Sequence, residues 1–146
     1  MATRLPLAVA ALLTLAACAA AEPPRPAAGS PGASPAAAAA AAALAGTSWN
    51  WVRFRSATED VAVPAPERYT LAFPEAGRLA LRADCNRGAG GVAFPEAGTI
   101  RVGAVALTRA MCPPGSFSDR YVQDLSRATR WSVRGDELRL DLPDAS

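Results

Sequence analysis

The chain has 146 residues and no histidine. That absence excludes every serine or cysteine triad built on imidazole, and every zinc site that needs a histidine ligand. Lysine is absent too, so all fifteen basic residues are arginine. No serine has a lysine or histidine to act as its base. Formal net charge is only +2 and falls further once Arg4 is removed with a leader. No field remains that would draw phosphates, so a nucleic-acid partner is not expected. No apolar run reaches the roughly 20 residues that a membrane-crossing helix needs.

What is present begins at the N-terminus. Arg4 is followed by an apolar stretch, Leu5 to Leu15, of the length found in the centre of a secretory signal. Leu15-Ala16-Ala17 then leads into Cys18, which looks like a bacterial lipobox. Residues 1–17 are read as a lipoprotein signal peptide and Cys18 as the lipidated mature N-terminus; the competing reading is an ordinary cleaved signal that discards Cys18. Several acyl chains hold a protein firmly at a membrane. Ala19 follows the cysteine in place of a retaining aspartate, so the periplasm-facing outer membrane is the expected location.

Residues 18–43 read as a disordered tether. Pro23, Pro24, Pro26, Pro31 and Pro35 alternate with small residues, and Ala36–Ala43 is unbroken alanine. Ser34 and Pro35 can start a short alanine helix and Gly46 can stop it. Such a helix is marginal alone, and no packing partner is expected for it.

Residues 44–146 form the one domain. Trp49–Phe54 reads as a first strand, and Tyr69–Phe73 alternates as a half-buried one. Ala72-Phe73-Pro74-Glu75-Ala76-Gly77 recurs as Ala93-Phe94-Pro95-Glu96-Ala97-Gly98, the same turn chemistry used in two hairpins. Ile100–Val102 and Val105–Leu107 are expected to pair around Gly103-Ala104. Ser116 and Asp119 resemble a capping box that starts a helix with Phe117, Tyr121, Val122, Leu125 and Ala128 on its apolar side. Trp131–Val133 and Leu138–Leu142 then form a hairpin around Gly135-Asp136.

Cys85 and Cys112 remain as an even pair. Outside the cytoplasm the default for such a pair is a disulfide, worth about 3–4 kcal/mol in the chain-entropy picture. A redox or metal pair is the competing reading, but the spacing is not Cys-x-x-Cys. Asp84–Gly91 carries glycines like a phosphate-cradling loop. It lacks the Lys-Ser/Thr of a P-loop, so it reads as a turn or bulge at the disulfide, with Asn86 bonding nearby backbone. Glu59-Asp60 and Asp136-Glu137 are adjacent acids expected on solvated loops. A glycosidase-like pair facing across a cleft is a remote alternative. The tryptophans are read as core more than as a ligand platform. No catalytic residue, metal site or cofactor is assigned.

Three segments together carry a family resemblance: Leu44-Ala45-Gly46-Thr47-Ser48-Trp49, Asp84-Cys85-Asn86-Arg87 and Leu107-Thr108-Arg109-Ala110-Met111-Cys112. The chain resembles the META domain, and within it the HslJ-like heat-shock lipoproteins, over about residues 44–142. The resemblance implies an α+β fold: a small, mostly antiparallel, curled sheet (a meander or partial barrel) with one packed amphipathic helix. It also implies that Cys85 and Cys112 meet. Family members run on past Leu138–Leu142 into a further strand, whereas this chain stops at Ser146, so an exposed Leu-rich edge is expected.

The function expected is that of a monomeric, non-enzymatic cell-envelope lipoprotein in envelope or stress tolerance, bound to the membrane through its N-terminal lipid. The alternatives are a periplasmic ligand-binding or inhibitor module, marked by a concave apolar pocket with Trp49, Trp51 or Trp131 in its wall, and a small carboxylate-based hydrolase.

Overall fold

A computed structural model describes residues 34–143. The expected signal peptide, Cys18 and the expected tether up to residue 33 lie outside the described residues. The fold is α+β. Helix α1 (Pro35–Leu44) leads into β1 (Thr47–Asn50), β2 (Arg53–Arg55), β3 (Asp60–Ala62), β4 (Tyr69–Phe73), β5 (Arg78–Ala83), β6 (Asn86–Ala93) and β7 (Arg101–Leu107). Helix α2 (Ser118–Arg127), β8 (Arg130–Arg134) and β9 (Glu137–Asp141) complete it.

The main sheet has five strands in the order β1-β4-β5-β6-β7, with every neighbouring pair antiparallel. It curls without closing into a barrel. Strict alternation in β4 and β5 puts Tyr69, Leu71, Phe73, Leu79, Leu81 and Ala83 on one buried face. Helix α2 covers that face with Tyr121, Leu125 and Ala128, the stripe expected from its spacing. The twin turns behave alike, since Gly77 and Gly98 both take positive φ, at 78° and 72°. The β8–β9 hairpin hangs from the second turn through Trp131 N–H to the Gly98 carbonyl at 3.0 Å. Its Leu138 and Leu140 pack partly buried against the core, more covered than the expected edge.

Four local expectations need correction. First, the alanine helix does pack. Ser34 caps it by accepting from Ala37 N–H at 3.2 Å. Ala37, Ala40 and Leu44 then form a buried stripe, with Leu44 only 1% exposed. Alanine brings no bulk, but its small size allows close approach, and Leu44 supplies the anchor. The domain therefore has two packed helices, and residues 35–43 belong to it. Second, Trp49–Phe54 is not one strand. β1 stops at Asn50, Trp51 N–H still reaches the Tyr69 carbonyl at 2.8 Å, and the chain then turns out at Val52, which is 59% exposed. Third, Gly103-Ala104 is not a turn. β7 runs through it, and these two residues oppose the single Gly91 between the Gly90↔Val105 and Val92↔Val102 pairs, a β-bulge. Fourth, Ser116 does not cap α2 as a box. Its hydroxyl accepts from Ser118 N–H at 3.2 Å, and Phe117 holds the cap position without a side-chain bond.

The glycine-rich segment is thus strand β6. A Cβ on Gly90 would lie 2.7 Å from the Ala104 carbonyl oxygen, whereas on Gly91 its nearest contact would be at 3.9 Å. We therefore expect Gly90→Ala to lower stability by about 1–3 kcal/mol through overpacking against backbone. Gly91→Ala should stay within about 0.5 kcal/mol of the parent. Urea denaturation of the two variants checks this; equal midpoints would contradict the packing described.

Candidate functional site

Two side-chain constellations stand out, at opposite ends of the chemistry expected. The first is the corner between β5 and β6. Asp84 turns it with a φ of 59°, rare for a non-glycine residue. Its carboxylate is 1% exposed and forms an ion pair with Arg68, which is itself 41% exposed. The contact is one of charge, since Asp84 Oδ1 has no aligned donor. Backbone bonds fix the turn further: Asp84 N–H donates to the Arg68 carbonyl at 2.8 Å, and Arg82 Nε donates to the Asp84 carbonyl at 3.1 Å.

The corner delivers Cys85 to Cys112 across a sequence separation of 27, with Cα atoms 5.4 Å apart. That spacing is normal for a disulfide. Chain entropy values a loop of this size at about 3.5 kcal/mol. The sequence expectation of a bond between these residues holds.

Asn86, next along, is 6% exposed. Its Oδ1 accepts from Ala110 N–H at 2.8 Å and from the Thr108 hydroxyl at 3.1 Å. Its Nδ2 donates toward the Ala110 carbonyl at 3.2 Å, Cys112 Sγ at 3.4 Å and Ser118 Oγ at 3.5 Å. Both lone pairs and both hydrogens are engaged, the full capacity of an amide. Thr108 relays the grip, since its hydroxyl accepts from Arg87 N–H at 2.9 Å. Asn86 therefore does not bond nearby backbone, as its sequence context implied. It holds a segment more than twenty residues away, and that segment includes the fully exposed Met111. The amide is spent on the fold, which leaves it no capacity to bind a ligand in this state.

The second constellation lies between α2 and the β2–β3 hairpin. Trp51 stacks on Tyr121 with centroids 5.1 Å apart, and Tyr69 and Phe117 meet Trp51 edge-on at 5.8 and 6.2 Å. The Tyr69 hydroxyl accepts from Phe117 N–H at 2.9 Å, which fixes the start of α2. Burial pushes the Tyr121 phenol well above its usual range. Arg120 closes the cluster from outside. Its guanidinium sits 3.7 Å above the Phe54 ring, bonds Glu59 at 2.6 Å and approaches Asp124 at 3.6 Å. The Glu59 bond raises the guanidinium further above its normal value, while burial pushes the Asp124 carboxyl up against the opposing pull of Arg120.

Other acidic residues are engaged elsewhere. Asp60 pairs with Arg53 at 3.0 Å and Arg55 at 3.3 Å. Trp49 and Trp131 are partly buried against the core, Trp131 edge-on to Phe94 at 5.6 Å. Among the described residues no three metal-ligating side chains gather. Sequence reasoning missed the Asp84–Arg68 pair, the reach of Asn86 and the Arg120 clasp. No spacing in the sequence hinted at the last.

The META domain model matches residues 42–145 of this chain. An NMR structure of a protein from Burkholderia xenovorans is similar in fold, with a TM-score of 0.59 and 24% identity, over 84% of this chain and 91% of that one. No curated protein matches.

The two restraints on the Thr108–Cys112 segment should separate in denaturation experiments. Reduction of the bridge should cost about 3–4 kcal/mol. Asn86→Ala with the bridge intact should cost about 2–4 kcal/mol, because it removes the bonds to Thr108 and Ala110 and leaves the buried Ser118 hydroxyl without this partner. If the Asn86→Ala variant matches the parent in urea under oxidising conditions, the amide is not a staple.

Proposed function

The chain belongs to the META domain family, and from that premise we propose that it is a non-enzymatic, HslJ-like lipoprotein of the bacterial cell envelope with a role in envelope or stress tolerance. One observation carries this reading: the Cys85–Cys112 bridge that joins the β5–β6 corner to the loop before α2. A bond of this kind persists where the surroundings are oxidising. It agrees with a leader that ends Leu15-Ala16-Ala17-Cys18.

The polar chemistry supports a scaffold more than a catalyst. The sequence has no histidine. Asn86 is saturated by backbone and side-chain partners, and Glu59 and Asp60 are each held by arginine. In this reading Cys18 carries the lipid, the outer membrane is the site of attachment, and the domain acts as a monomer. A second reading, a periplasmic ligand-binding module, draws its support from the aromatic cluster around Trp51.

Mass spectrometry of the mature protein isolated from a bacterial envelope tests the proposal. The expected N-terminus is Cys18 bearing a diacylglyceryl group. An unmodified N-terminus beyond Cys18 would overturn the lipoprotein assignment.

A further inference from the structure

The β2–β3 hairpin is a sheet of its own. Its ladder pairs Arg53 with Ala62, Phe54 with Val61 and Arg55 with Asp60, and it is not part of the five-stranded sheet. It leaves the main sheet at Val52 and rejoins the chain at Val63, two positions linked by Val63 N–H to the Val52 carbonyl at 3.0 Å. This is the geometry of a flap on a narrow hinge. Below it lies the continuous aromatic surface of Trp51, Tyr69, Phe117 and Tyr121. The flap packs Phe54, Val61 and Val63 toward that surface, and the join leaves no space for a water molecule.

What clasps the flap to α2 is Arg120. It takes the Glu59 carboxylate at 2.6 Å from the hairpin's own turn, with side chains 33% and 46% exposed. Exposed pairs of this kind contribute little to stability. The arginine, also 3.6 Å from Asp124 on its own helix, therefore presents a carboxylate-binding position at the edge of this apolar contact, filled by a carboxylate of the same chain that is held weakly.

We propose that the β2–β3 hairpin is a lid over an aromatic slot formed by Trp51, Phe117 and Tyr121, and that Glu59 occupies on Arg120 the place taken by the carboxylate of an elongated apolar acid when the lid opens. The tail of such a ligand replaces Phe54 and Val61 against the rings, and burial of its methylenes supplies the driving force. The head group exchanges one charge-assisted bond for another on the same guanidinium. Glu59 is thus an internal competitor that sets the affinity. This rests on the ligand-binding reading above and is independent of the lipid anchor.

The test uses the purified full chain and octanoate, with 1-octanol as the uncharged control, followed by NMR of the Trp51 indole N–H and the Val61 and Val63 methyl groups. Octanoate should shift all three saturably and bind at least about tenfold tighter than octanol. Glu59→Gln, a surface change that leaves the core intact, should bind octanoate about fivefold tighter than the parent. Arg120→Gln should lose the preference for octanoate over octanol. Equal affinity for the two probes, shifts confined to other residues, or no gain in Glu59→Gln would each overturn the proposal. None of these results bears on the mass of the mature N-terminus, so the two readings fail separately.

Discussion

The structure depends on a single primary amide. Asn86 sits at the first position of β6, and its side chain carries both hydrogens and both lone pairs into the Thr108–Ser118 region. That region has no regular hydrogen-bond ladder along most of its length, because Pro113, Pro114 and Gly115 interrupt it. Without the amide, the Ala110 backbone groups and the buried Ser118 hydroxyl would lose these bonds, at about 1 kcal/mol each. The amide supplies those bonds in one stroke. The disulfide beside it limits how far the segment can travel in the unfolded chain, while the amide defines where it rests in the folded one.

Placement of that segment sets the start of α2. The Tyr69 hydroxyl receives Phe117 N–H, and Ser118 is within reach of Asn86, so the helix begins against the sheet and not in solvent. From there Tyr121, Leu125 and Ala128 meet the alternating face of β4 and β5. The same helix lifts Arg120 outward to hold Glu59 and Phe54. The corner and the clasp are therefore two ends of one mechanical path: a strand corner fixes a loop, the loop fixes a helix, and the helix holds a hairpin. The buried Asp84–Arg68 pair stiffens the first link, since removing one partner of a buried ion pair leaves the other uncompensated.

Periodicity made much of this fold legible. Alternation in Tyr69–Phe73 and the helical stripe from Phe117 to Ala128 place their residues on the buried side as expected, and the META resemblance foretold the meeting of Cys85 with Cys112. What escaped was set by tertiary contact. Eight alanines carry no signal of burial, yet Leu44 at their end drags the helix into the core. Gly103-Ala104 looks like a turn, but a bulge uses the same residues when the neighbouring strand has glycine opposite. Asn86 reads as a local turn residue because its partners lie more than twenty positions away. The Arg120–Glu59 contact spans 61 residues, and no pattern of spacing announces such a pair.

Native-state hydrogen exchange at the Ala110 amide tests the central role of Asn86 most directly. With the disulfide intact, the account predicts that this N–H exchanges as slowly as those of β5, through near-global unfolding, although its neighbour Met111 is fully exposed. Exchange of Ala110 at the rate of an unprotected loop amide would show that the bridge alone restrains the segment, and would contradict the account.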